Sequence, residues 1–143
     1  MGEVRAFSDG DVLFYAQQKA CHRWAEDHFL SERDTLALGV YLFRLFDYQN
    51  GEGYWPEFIF EVPALAQPST AVTVERERTG QKVIAFAGSG CDLLVLVHEL
   101  AHAVRPWDEP HHDALDFDLA SMMLEVVKTI LEEEGDDFGS LGQ

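Results

Sequence analysis

The sequence predicts one α+β domain with N-terminal helices, a small antiparallel β-sheet, an apolar helix and a long C-terminal helix. Three observations predict this class. Apolar residues recur at helical spacing near the N-terminus, short stretches in the middle alternate between apolar and polar residues, and helical spacing returns in the last third. With 143 residues, 47% of them hydrophobic, the chain is long enough to bury one core. We expect the domain to span residues 1–134, followed by an acidic, glycine-rich tail at 135–143.

Two helices are predicted first, over residues 10–28 and from Ser31 to about Tyr48. Asp9 can cap the first helix. The inward face of that helix is formed by Leu13, Ala16, Ala20 and Trp24. Asp34 stands at the capping-box position of the second helix. Because the second helix is apolar almost all round, we expect it at the centre of the core.

Three β-strands are predicted next. The first covers residues 57–62, and the others cover residues 71–78 and 82–87 with a turn at Thr79–Gly80. We expect residues 82–87 to form an edge strand, where the backbone of an extended peptide can pair with it.

The remaining two helices surround the most informative part of the chain. The apolar helix is predicted to start near Asp92 and to end before Pro106, because proline disfavours helical geometry in the residue before it. The last helix is predicted from Pro110 to about Glu133. Its inward stripe is predicted at Leu115, Leu119, Met122, Val126 and Ile130.

The apolar helix carries an HExxH motif, His-Glu-Leu-Ala-His at residues 98–102. Positions i and i+4 lie on one face of a helix, so His98 and His102 can present two imidazole nitrogens to one Zn²⁺ ion. Glu99 lies beside that face and can act as general base on a metal-bound water. This combination is typical of zinc metallopeptidases. The alternative is a helix whose two histidines are satisfied by hydrogen bonds, but two imidazoles and a carboxylate are costly to bury without a purpose.

A catalytic zinc site needs a third protein ligand. A step of four residues back from Leu115 reaches His111. This residue lies on the predicted stripe, at the end nearest the apolar helix that carries the HExxH motif. His112 is rotated by about 100° from that stripe. We therefore favour His111 and keep His112 as the alternative. Glu125 lies on the same predicted helix, and its position on an exposed acidic face is a simpler interpretation than a role as zinc ligand.

The segment from His98 to His111 has the form HExxH, eight residues and His. It resembles the short zincin-like metallohydrolases of actinobacteria and their phages and, more distantly, the SprT-like zincins. The resemblance implies that His98, His102 and His111 bind zinc and that Glu99 is the general base. Where those proteins have a His-Gly-Pro-x-Phe type segment, this chain has His-His-Asp-Ala-Leu, so the choice between His111 and His112 stays open.

Composition limits the partners. Twenty-six acidic residues against ten basic ones give a net charge of −16, with no basic cluster. This argues against nucleic acid as a partner, although SprT-like proteins act near DNA. No apolar run reaches the length of a membrane span, and the first residues lack a signal pattern. Cys21 and Cys91 fit no metal or redox spacing, and we expect two free, buried thiols in a reducing cytoplasm.

These features predict a cytoplasmic, zinc-dependent hydrolase that acts as a metallopeptidase on a peptide or protein substrate. The alternative is a catalytically inactive, metal-stabilised binding or regulatory module. The short chain favours that alternative, because it leaves little material for a deep substrate cleft.

Overall fold

The α+β class is confirmed by the computed structural model, which describes residues 17–18, 20–25, 28–47, 56–62, 71–76, 78–104 and 114–134. A 3-10 helix at Arg23–Ala25 precedes the first strand. The strands and helices that follow are β1 (Phe29–Leu30), α1 (Glu32–Phe46), β2 (Glu57–Ile59), β3 (Ala71–Glu75), β4 (Lys82–Phe86), β5 (Cys91–Asp92), α2 (Leu93–Val104) and α3 (Ala114–Glu134). Among these described helices, none is both long and apolar enough to cross a membrane.

Helix α2 lies at the centre of the domain. All 12 of its residues are buried, and it packs against α1, α3 and β3. The Asp92 carboxylate accepts a hydrogen bond of 3.0 Å from the backbone N–H of Val95, which caps the first turn of the helix. The helix ends at Val104, two residues before Pro106 in the sequence. Both predicted limits of the motif helix are therefore confirmed.

Helix α1 begins where the capping pattern predicts, but its surface is more polarised than expected. The Ser31 side chain accepts a hydrogen bond of 3.2 Å from the backbone N–H of Asp34. Leu38, Leu42 and other residues on one side are buried, whereas Leu36 and Leu45 are exposed on the other. The expectation that this helix lies at the centre of the core is wrong, because α1 is buried along one side only and α2 takes the central position.

The predicted hairpin is confirmed, but the order of the strands corrects the sequence expectation. Strands β3 and β4 are antiparallel, and Gly80 in the turn has a φ of 72°, which glycine adopts without steric cost. Strand β2 pairs with the other side of β4 in parallel, so the sheet is mixed and has the order β2-β4-β3. The strand predicted over residues 82–87 is thus central and not at the edge.

The physical reason for this correction lies in the composition of β4. Val83, Ile84 and Phe86 are all buried, as expected for a strand covered on both faces. The ring of Phe86 stacks against Phe58 and Phe60, with ring centroids 6.1 Å and 4.9 Å apart, which holds the β2 segment against β4.

The N-terminal segment leaves helical geometry earlier than predicted. Residues 17, 18, 20 and 21 are helical, but the 3-10 helix and β1 replace the end of the predicted helix at 10–28. Strand β1 pairs with β5, and the backbone N–H of Leu93 donates to the carbonyl oxygen of His28 at 2.9 Å. These tertiary backbone bonds outweigh the local helical pattern and fix the start of α2.

Substitution of Gly90, in the bend that enters β5, tests this anchoring. A Cβ atom at position 90 would overlap the carbonyl oxygen of Leu30, and this backbone atom can move only if the β1–β5 pair shifts. We expect Gly90→Ala to lower the free energy of unfolding by about 1–3 kcal/mol, measured by urea denaturation.

Gly88→Ala is the matched control for Gly90→Ala. A Cβ at position 88 would meet its nearest atom, the carbonyl oxygen of Gly90, at 3.8 Å, which is an ordinary contact. Equal losses for the two variants would contradict the steric explanation.

Candidate metal centre

The two histidines of the HExxH motif converge inside the domain. His98 and His102 lie one helical turn apart on α2, and each residue is only 2% exposed. Their Nε2 atoms are 3.1 Å apart, and the rings meet nearly at right angles, with an interplanar angle of 87°. The structure therefore brings together the two nitrogens that the sequence analysis assigned to one ion.

The separation of the two Nε2 atoms can be tested against zinc chemistry. Zinc binds imidazole nitrogens at about 2.0–2.1 Å with tetrahedral angles, which places two such nitrogens about 3.3 Å apart. The observed 3.1 Å fits this requirement, and imidazole is a donor that zinc prefers. A hydrogen bond from one ring to the other would have the same length. The distance therefore also agrees with the alternative in which the two histidines bind each other and no metal.

Glu99 points toward the sheet and not into open solvent. It is 4% exposed, and its Oε1 atom accepts a hydrogen bond of 2.5 Å from the hydroxyl of Thr73. Thr73 lies on β3 and is fully buried. The predicted general base is thus adjacent to the histidine pair in sequence, and it is hydrogen-bonded to β3, the strand that packs against the same helix.

Thr73 is a residue that the sequence analysis missed. It alternates with Val72 and Val74, so the pattern of β3 places it on the polar face of the strand and not in the core. A buried hydroxyl requires a partner, but no local pattern in the sequence marks Thr73 as buried or places Glu99 opposite it.

The proposed third ligands, His111 and His112, lie outside the described residues. Within the described ranges, no group of three or more histidine, cysteine, aspartate or glutamate side chains is placed to hold a metal. Glu125 is exposed, and its Oε2 atom lies 3.9 Å from Nδ1 of His22. This position agrees with the acidic-face interpretation of Glu125.

The inward stripe of α3 differs from the predicted one. Met122 is 44% exposed, and Val126 is only partly buried, whereas Leu119 and Ile130 are buried as predicted. The remaining buried positions are Ala120, Met123, Leu124 and Val127. The predicted stripe is therefore wrong at Met122, because neighbouring alanine and methionine positions take the inward face.

This shift changes the argument for the third ligand. The choice of His111 by periodicity assumed a stripe that includes Met122, and Met122 is exposed. Periodicity thus no longer selects His111, and the preference for His111 depends on the HExxH-x8-His spacing alone.

Lys82 supplies a second polar link from the sheet to α2. Its ammonium group is buried and donates a hydrogen bond of 2.7 Å to the carbonyl oxygen of Ala103, in the last turn of the helix. A cation there satisfies a terminal carbonyl and complements the helix dipole. Burial lowers the pKa of Lys82 to about 8, while the carboxylates of Glu75 and Asp47 act in the opposite direction.

The two cysteines differ from each other. Both are free thiols, but Cys21 is exposed and only Cys91 is buried, which corrects the expectation that both are buried. Burial raises the pKa of Cys91 to about 12, although its contact with the Thr35 hydroxyl acts against this. Cys91 therefore remains a thiol at neutral pH, unsuited to act as a nucleophile or metal ligand.

Comparisons of this chain with protein-family models, with curated proteins and with solved structures found no match. We therefore infer the function of this chain from the residues and geometry of the site itself.

The depressed pKa of Lys82 gives a testable pH dependence. Between about pH 8 and pH 10.4 the unfolded chain holds more protons at this lysine than the folded chain, so folding becomes more favourable as the pH rises. We expect the stability of the metal-free wild type relative to Lys82→Met to increase by about 2 kcal/mol from pH 7.5 to pH 10, measured by urea denaturation.

The Lys82→Met variant is the reference because it removes this titration and keeps a long side chain at the same position. A stability difference between wild type and variant that stays constant over this range would show that the ammonium is not buried as described.

Proposed function

We propose that this chain is a zinc-dependent hydrolase, and specifically a metallopeptidase. The single observation that carries the proposal is the convergence of the two Nε2 atoms of His98 and His102, 3.1 Å apart, on the helix that also carries Glu99. Two imidazoles and a carboxylate, all at most 4% exposed, occupy a helix that is otherwise apolar. Burial of such groups is unfavourable unless they are paired or coordinate an ion.

Each residue of the motif has a separate role in this proposal. His98 and His102 hold the ion, with His111 or His112 as the third ligand. Zinc, when bound, supplies Lewis-acid activation of water and of the scissile carbonyl. Glu99 accepts the proton of the attacking water and then passes it to the leaving amine.

A peptide is the proposed substrate because of the position of β3. This strand pairs with β4 on one side, and no other described strand pairs with its second side. It also carries Thr73, which contacts Glu99. An extended peptide added along β3 would bind through backbone hydrogen bonds and would lie close to the general base.

The two free thiols agree with a cytoplasmic location.

The burial of the site favours a second candidate, an inactive module that binds zinc for stability. His98, Glu99 and His102 are at most 4% exposed, and a hydrolase must admit both water and substrate to these groups. In this alternative the two histidines still bind zinc, and Glu99 has only a structural role.

A Glu99→Gln variant separates the two candidates. We expect it to retain zinc at the wild-type level and to lose at least about 100-fold in hydrolysis of fluorescein-labelled casein, because the amide cannot accept the proton. Zinc content is measured by elemental analysis of the same samples.

Glu125→Gln is the control, because it neutralises an exposed carboxylate on α3, and we expect its rate to match the wild type. Full activity of Glu99→Gln would contradict the proposed mechanism. Zinc-loaded wild type without hydrolysis of casein would favour the module.

The third ligand is tested with His111→Ala and His112→Ala. From the spacing of the motif we propose that His111→Ala weakens zinc binding by more than about 100-fold, since loss of a direct zinc ligand costs more than loss of a residue that only hydrogen-bonds to a ligand. We expect His112→Ala to change the affinity for zinc by only a few fold. Zinc affinity is measured by competition with a chromophoric chelator.

The reverse pattern would assign the third ligand to His112. Unchanged affinity in both variants would contradict a three-histidine site.

A further inference from the structure

We propose that Thr73 is the positioning residue of the general base, and that its hydroxyl fixes the carboxylate of Glu99 for proton transfer. This inference rests on the proposed function of Glu99. Nothing in the HExxH motif indicates it, because Thr73 lies 26 residues earlier in the chain, on a different element.

The contact between the two side chains is short and isolated from bulk solvent. The Thr73 hydroxyl lies 2.5 Å from Oε1 of Glu99 and 3.3 Å from the backbone carbonyl oxygen of the same residue. A hydroxyl has one proton to donate, and the carboxylate oxygen is the nearer acceptor. In its proposed role as general base, Glu99 is ionised. Hydrogen bonds to a charged acceptor are shorter and about twice as strong as neutral ones, and burial strengthens them further.

Several features of the structure fix the position of Thr73. It is fully buried, and it is paired with Ile84 in the antiparallel register of β3 and β4. Its β-branched side chain has few χ1 rotamers. The strand lies against α2, the helix that carries Glu99. A rigid donor of this kind restricts the rotation of the carboxylate and sets the direction in which its second oxygen points.

A purely structural threonine would also satisfy a buried carboxylate, so the test must separate positioning from stability. The first measurement is a double-mutant cycle on metal-free protein that combines Thr73→Val with Glu99→Leu, with equilibrium unfolding in urea as the readout. Thr73→Val keeps the shape of the side chain and removes the hydroxyl. We expect it to lower the folding equilibrium constant at least about tenfold more when Glu99 is present than in the Glu99→Leu background.

Thr35 provides the matched control for this cycle. It is another fully buried threonine, and its hydroxyl donates to the carbonyl oxygen of Leu30 at 3.4 Å. Thr35→Val therefore removes a buried hydroxyl that does not contact Glu99. We expect its effect on the folding constant to be the same with and without Glu99.

The second measurement uses the zinc-loaded protein and labelled casein. We expect Thr73→Val to keep the zinc content of the wild type and to lower kcat about tenfold or more, with KM changed less than about threefold, because the base is displaced and binding is not. Thr73→Ser and Thr73→Ala form a further pair, since both lose the methyl group and only serine keeps the hydroxyl. We expect the kcat of Thr73→Ser to lie within a few fold of the wild type, and the kcat of Thr73→Ala to stay as low as that of Thr73→Val.

The outcomes distinguish this inference from the function on which it depends. Equal effects of Thr73→Val with and without Glu99 would overturn the link between the two residues, even in an active enzyme. Equal kcat values for the serine and alanine variants would overturn the positioning role while leaving the hydrolase intact. Zinc-loaded wild type without hydrolysis would overturn the proposed function and the catalytic role of Thr73 with it, whatever coupling the cycle measures.

Discussion

Burial of two imidazoles and a carboxylate within one apolar helix is the constraint on which the rest of this structure depends. His98, Glu99 and His102 are at most 4% exposed, on a helix with no exposed residue. Polar groups taken out of water must find partners inside the protein or an ion. The proposed zinc ion would meet this requirement for the histidine pair, and a hydrogen bond from β3 meets part of it for Glu99.

The small sheet contributes to the site through its polar side chains. Thr73 on β3 reaches the first half of the motif at Glu99, and Lys82 on β4 reaches the carbonyl oxygen of Ala103, directly after the second histidine. Both residues are buried. Two adjacent strands thus bind the motif helix near its middle and in its last turn. The sheet thereby stabilises the helix and also sets the position of the residues that the proposed chemistry uses.

Local signals allowed the limits of the central elements to be predicted. The hydroxyl of Ser31 and the glycine at position 80 act on their own backbone neighbourhood and have the predicted roles. The carboxylate of Asp92 also acts locally, and it caps the helix whose start was predicted near that residue. The pair His98 and His102 was predictable for the same reason, because the helical period alone brings positions i and i+4 together.

Features that depend on distant segments could not be predicted. The position of β4 in the middle of the sheet is set by a parallel pairing with β2, and the Thr73–Glu99 bond joins two elements whose approach no local pattern encodes. The stripe of α3 was displaced for a different reason. Met122 and Met123 have the same side chain, and only packing against α2 decides which of them is buried.

The zinc content of the purified protein tests the central claim most directly. Protein prepared without a histidine tag would be loaded with zinc, dialysed, and assayed by elemental analysis beside His98→Ala/His102→Ala. His22→Ala/His28→Ala is the control that removes two histidines elsewhere. We expect about one zinc per chain in the wild type and the control, and none in the motif variant. A wild type that retains no zinc, or a motif variant that retains as much as the wild type, would contradict it.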